Sequence, residues 1–140
     1  MIKDLMQAIM MKYNSSDGDT LRAKNTGGLH FTEAGQNIKE PYTVFTWNAS
    51  TPTDQLGGTT DRYEQAEIRF DIFSENDNGG LEVVGIVGKL MDLFDWSTLT
   101  LPTDSSLTYM AMRRENTSQV EFLDNKVWTI SVNYIVWYNH

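Results

Sequence analysis

The sequence predicts an α+β domain: one mainly antiparallel four-stranded sheet with two principal helices packed on one of its faces. Apolar residues recur at three- and four-residue spacing in two separate stretches, and at two-residue spacing in the segments between and after them. The strand-like segments follow one another through short or hairpin-like links, which favours an antiparallel sheet. The length of 140 residues, with 40% hydrophobic and 21% charged content, suits a single domain spanning residues 1–140. A chain of this size buries roughly two-thirds of its unfolded surface and needs neither a disulfide nor a structural metal.

Ile2, Leu5, Met6, Ile9, Met10 and Tyr13 form one apolar stripe on an amphipathic N-terminal helix that ends at Asn14-Ser15-Ser16. The polar stretch from Asn14 to Gly28 reads as a flexible loop closing in Asn25-Thr26-Gly27-Gly28. No Lys and Ser/Thr follow the double glycine, so it reads as a turn and not as a phosphate loop. Leu29, His30 and Phe31 begin a short strand, and Pro41 introduces the β-branched and aromatic strand Tyr42 to Trp47. Residues 48–65, with Pro52, Gly57 and Gly58, read as a long flexible loop or an extended hairpin.

Ala66 to Ser74 alternates, with Ile68, Phe70 and Ile72 on one face and Glu67, Arg69 and Asp71 on the other. The turn Glu75 to Gly80 leads into a helix carrying Leu81, Val84, Ile86, Val87, Leu90, Met91 and Phe94 as its core-facing set, with Asp77 or Asn78 placed to cap it. Asp95 to Leu107 is turn-rich, Leu107 to Arg114 reads as a strand, and Lys126 to Tyr138 is the clearest strand of all. On that last segment Trp128, Ile130, Val132, Tyr134, Val136 and Tyr138 share one face. Fully extended it reaches roughly 40 Å, so either it bends or its end leaves the domain.

The residues exclude several chemistries. The chain has no Cys and only two His, which rules out a Cys-rich zinc site, a thiol nucleophile and a redox pair. Neither His30 nor His140 lies in a nucleophile-elbow context, and His30 reads as an ordinary polar residue flanking a strand. Glu75, Asp77 and the asparagines beside them lack the spacing and closing Glu of a calcium loop. Asn14-Ser15-Ser16, Asn48-Ala49-Ser50 and Asn116-Thr117-Ser118 match the glycosylation pattern by chance frequency alone. No cofactor, metal or enzymatic activity is expected. The N-terminus has no leader pattern and no run is long enough to span a membrane, so the expectation is a soluble protein made in the cytoplasm.

A net charge of -8, with eleven scattered basic residues, disfavours nucleic-acid binding. The acidity either maintains solubility or lets DNA pass without adhesion. Leu56 and Tyr63 are the large apolar residues of the long loop, and Arg69 lies on the outward face of its strand. Arg113 and Arg114 end a strand, where they either pair with a neighbour's acids or are solvated. Trp137 lies on the strand face opposite Trp128. These six residues are the candidate subunit or partner interface.

Together these segments resemble the phage tail-completion family, the tail terminators and the proteins that join tails to heads. The resemblance rests on the N-terminal helix, the strand Pro41-Tyr42-Thr43-Val44-Phe45, the strand end Ile68-Arg69-Phe70-Asp71-Ile72-Phe73-Ser74, the helix Glu82 to Phe94 and the closing strand Trp128 to Tyr138. It covers nearly the whole chain. The long loop and the extra residues between Asn14 and Gly28 depart from the plainest family pattern. The resemblance implies a non-catalytic virion protein at the head-proximal end of the tail, assembled in the host cytoplasm. It implies a hexameric ring of identical subunits that caps the tail tube and meets both the major tail tube protein and the head-tail connector proteins. DNA would only pass through the channel. The alternatives are a head-completion or neck protein below the portal and, from another class, a small acidic ligand-binding or enzymatic domain.

Overall fold

The computed structural model describes residues 2–32, 39, 41–54, 62–105 and 108–139. Helix α1 (Ile2–Asn14) is followed by a 3-10 turn (Ser16–Gly18) and α2 (Asp19–Lys24). Strands β1 (Leu29–Phe31), β2 (Tyr42–Asp54) and β3 (Arg62–Ser74) come next, and then α3 (Gly79–Phe94). The chain finishes with β4 (Thr108–Thr117), β5 (Glu121–Phe122) and β6 (Trp128–Asn139). The sheet order is β1-β2-β3-β6-β4, with β5 also paired to β6.

The antiparallel strands β2, β3, β6 and β4 are the four the sequence predicts, but the sheet is larger and mixed. β1 adds a parallel edge along Thr43 to Phe45, and β5 pairs with the start of β6 at Thr129 and Trp128. Three residues of β1 and two of β5 carry too little alternation to announce a strand or its direction. The end of the long final strand does not leave the sheet. β3 pairs with it from Trp128 to Asn139, and β5 and β4 cover its other side.

The alternation of β3 and β6 places the core. Ile68, Phe70 and Ile72 are opposite Tyr134, Val132 and Ile130, and five of these six side chains are fully buried, with Ile130 at 5% exposure. α3 covers this face. Phe94 stacks on Phe70 at 5.1 Å between ring centroids, and Tyr134 meets Phe70 edge-on at 5.7 Å. Phe45 of β2 extends the stack at 5.9 Å from Phe70, and α1 adds Leu5, Ile9 and Tyr13 to the same core.

The helix presents a different face from the one its apolar spacing suggested. Val83, Ile86, Val87, Leu90, Leu93 and Phe94 are buried, whereas Leu81 is 79% and Val84 46% exposed. Nor does Asn78 cap the helix through its side chain. Glu82, in the first turn, accepts hydrogen bonds from Ser74 Oγ at 2.8 Å and from the Asn76 amide, which ties the helix start to the end of β3.

Between Asn14 and Gly28 the expected loop is helical. Leu21, the only large aliphatic residue of that stretch, is 2% exposed and anchors α2 to the core. Polar residues there serve the backbone. The Arg22 guanidinium donates to the carbonyls of Tyr13 and Ser15. The buried Asn25 amide donates to Tyr13 Oη at 3.1 Å and to the Gly28 carbonyl at 3.0 Å, and its oxygen accepts from Thr43 Oγ1 at 3.2 Å. The following double glycine is a turn, as read from sequence. Gly28 has φ of +87°, and the Gly27 N–H donates to the Pro41 carbonyl at 2.7 Å.

For residues 48–65 the extended hairpin is the correct alternative. β2 runs to Asp54 and β3 starts at Arg62, with one bulge between Trp47 and Ala49, while residues 55–61 lie outside the described residues.

Two predictions follow from this packing. A Cβ on Gly27 would stand 2.0 Å from the Lys39 carbonyl oxygen and 2.7 Å from that of Pro41, both backbone atoms. Gly27→Ala is expected to cost about 2–3 kcal/mol, at the upper end for overpacking, read as a lowered urea midpoint. Separately, burial and then the hydrogen bond to Asp95 push the Tyr134 phenol well above its ordinary value, and burial pushes Tyr109 up to about 12. The folded chain therefore keeps phenolic protons that the unfolded chain has released. Stability is unaffected by these groups below pH ~10 and falls as pH rises above it. Tyr134→Phe should cost about 1–2 kcal/mol at neutral pH and flatten the alkaline decline, measured by urea unfolding across that range.

Candidate functional site

An apolar groove of about 990 Å³ runs along one flank of α1. Lys3, Met6, Gln7, Met10, Met11 and Asn14 form its helical wall, Phe31 and Phe45 lie on the sheet side, and Pro102 contributes from the loop after α3. The helix residues fall at three- and four-residue spacing, so they line one flank for about three turns. α1 turns Leu5 and Ile9 into the core, leaving the flank beside them to overhang the sheet edge. A hydrogen bond from Ser105 Oγ to Asp4 Oδ2 at 3.0 Å fastens the loop that carries Pro102 to this helix.

Met11 is 50% and Phe31 48% exposed, and Trp47, two residues beyond Phe45 on the same face of β2, is 41% exposed. Among the described residues the lining has no carboxylate and no histidine. These residues offer no proton donor and acceptor pair for acid–base chemistry, and the unbranched methionines can adapt their shape to a partner.

The six residues singled out from sequence do not converge. Leu56 lies outside the described residues. Tyr63 is backbone-paired in β3 between Thr53 and Asn139. Arg69 is on the open face of the sheet, where its Nε donates to Asp71 Oδ1 at 2.9 Å and its Nη2 to Ser131 Oγ at 3.1 Å. Ser131 in turn donates to Asp71. Arg113 and Trp137 do come together: the guanidinium carbon stands 5.1 Å from the indole centroid on the same open face. That is cation–π geometry of the kind worth about 0.5–1 kcal/mol at exposed sites.

Arg114 points to the helix side instead and pairs with Asp95 at 3.6 Å. Asp95 also accepts from Tyr134 Oη at 2.5 Å, so this cluster ties the end of α3 to the two strands beneath it. His30 has a backbone partner, the Gly27 carbonyl at 2.8 Å from Nε2.

Several exposed apolar residues were not singled out from sequence. Besides the groove residues they are Leu81 and Val84 on α3, Trp96 at 71% exposure just after it, and Phe122 at 56% on β5. Trp96 also holds a φ of +53°, uncommon for a large side chain. For α3 a signal was present. Leu81 and Val84 fall on the opposite side of a helical wheel from Val83, Ile86, Val87 and Leu90, so the apolar residues were too many for one stripe. Among the described residues, no three His, Asp or Glu cluster to hold a metal, and no helix is long and apolar enough to cross a membrane.

No family model matches the sequence, and no curated protein does. The fold does match solved structures. A chain of the virion of the native gene transfer agent particle superposes with a TM-score of 0.74 at 10% identity, over 99% of this chain and 97% of that one. A second solved chain, known only by a sequence label, superposes with a TM-score of 0.53 at 17% identity, over 96% of this chain and 94% of its own. At these identities the likeness is one of fold, and it extends from end to end.

Proposed function

We propose that this chain is a non-catalytic structural subunit of a virion, one that closes the head-facing end of a tail tube as a ring and offers a surface to the head connector. The observation that carries this is the end-to-end match of fold to a chain of a gene transfer agent virion, at 99% coverage with a TM-score of 0.74. It agrees in kind with the family resemblance of the strands and helices in the sequence.

The surface chemistry supports the same reading. The described lining of the groove along α1 is apolar and without a carboxylate or histidine, and two polar clusters on the sheet are internally satisfied: Arg69 with Asp71 and Ser131, and Asp95 with Tyr134 and Arg114. Such surfaces suit protein contact better than turnover. A net charge of -8 makes the chain a poor adhesive for DNA, which suits a subunit beside a DNA channel. On this reading the subunits form a closed, hexameric ring, with the tail tube protein on one side and connector proteins on the other.

Deletion of the gene from the genome that carries it, followed by negative-stain electron microscopy of the lysate, tests the assignment. The expected result is overlong tubes, or finished tails lying apart from filled heads. Tubes of unregulated length would point to termination, and separated tails and heads to joining. Intact infectious particles would refute both roles.

A further inference from the structure

A ring needs two different surfaces on each subunit, one offered and one receiving. The sheet edges are poorly suited to supply them. The outer edge of β4 is broken by two register shifts and carries Arg113, Arg114 and Glu115, and the half of β2 beyond β1 includes Pro52, which removes one donor. Bulges, charges and proline are the features that keep edge strands from pairing with other chains.

Two exposed apolar surfaces on the helices are better matched. One is the α1 groove. The other is the outward side of α3, where Leu81, Val84, Gly85 and Gly88 share one stripe opposite the buried face. Both glycines lie inside the helix, where glycine is among the least favoured residues, and a Cβ on either would meet nothing within 4 Å. Nothing within the subunit therefore requires them. They leave a flat helix surface that another chain can approach closely, beside the projecting Leu81 and Val84.

Charge selects the pairing. Among the described residues Lys3 is the only ionisable one lining the groove, and it makes no ion pair there, in a chain with 19 acidic and 11 basic residues. The turn before α3 exposes Glu75 and Asp77, and on the helix itself Asp92 is exposed with Lys89 as its ion partner. A ridge with a net acidic surround thus faces an apolar groove with a cationic residue at its rim, which favours this pairing over like-on-like contact.

Resting on the ring assembly proposed above, we infer that the α3 ridge of one copy docks into the α1 groove of the next, with Leu81 and Val84 against the Met10, Met11 and Phe31 side of the groove. The contact is heterologous, so each copy uses both surfaces, and a fixed rotation per copy closes the ring.

The chain has no cysteine, so introduced pairs report the contact directly. Oxidation of a concentrated solution of the Met11→Cys, Val84→Cys double variant should give a ladder of disulfide-linked multimers on a non-reducing gel. A control with Val84→Cys and Glu121→Cys should give none. Mixing the two single variants should give only the mixed dimer. Gly85→Leu added to the double variant should abolish the ladder while the thermal midpoint holds or rises, which separates docking from folding. No ladder would overturn the inference. So would a Val84→Cys homodimer, which would mean symmetric α3 pairing, or capture of Met11→Cys only by a different protein of the particle. A ladder from a chain whose deletion leaves particles intact would keep the docking and discard the virion role, so the two failures are distinguishable.

Discussion

The pairing of β3 with β6 is the constraint on which the rest of the structure depends. It brings Ile68, Phe70 and Ile72 alongside Ile130, Val132 and Tyr134 on one face, and that face is what α3 covers with Ile86, Leu90 and Phe94. A slip of one residue in this ladder would turn the whole apolar set to the open side. The register is reinforced at the ends of α3. Glu82 holds the start of the helix to Ser74 at the end of β3, and Asp95 holds its end to Tyr134 of β6 and Arg114 of β4. Once α3 is fixed on the centre of the sheet, α1 is left with the margin over β1 and β2. The groove is a consequence of that displacement.

Much of this was legible in the sequence, for definite physical reasons. Ala66 to Ser74 of β3 and Val132 to Tyr138 of β6 alternate because one face is buried and the other is not, and every alternate position is then constrained. The same strictness makes α1 readable. α2 was not readable because six residues with one buried leucine give no periodicity, and it is held by Arg22 bonding to the Tyr13 and Ser15 carbonyls and by Asn25 bonding to the Tyr13 and Thr43 side chains. The misreading of α3 has a different origin. Apolar spacing alone cannot separate residues facing the core from residues facing a partner, so Leu81 and Val84 were assigned to the wrong side.

The candidate site was less legible than the fold, and the reason is the same ambiguity. Arg113 and Trp137 were identified from opposite arguments, one from charge and one from strand parity, and the structure joins them in one stacked pair on the open face. Arg114, adjacent in sequence, belongs to the other face and serves an internal cluster. Parity along β4 separates them. The groove could not be foreseen, since its lining comes from α1, β1, β2 and a loop around Pro102, and no local pattern links those four segments.

The described polar clusters around Arg69 and Asp95 are satisfied within the chain, and exposed apolar residues lie on α1, on α3 and on the sheet. Membership of a virion is the proposal on which the ring and its docking rest. Quantitative mass spectrometry of particles purified from the genome that encodes the chain puts it to the test. The chain is expected in purified particles at a small, fixed number of copies relative to the portal or tube protein, retained through repeated density gradients. Absence of the chain from particles that are otherwise complete would contradict it.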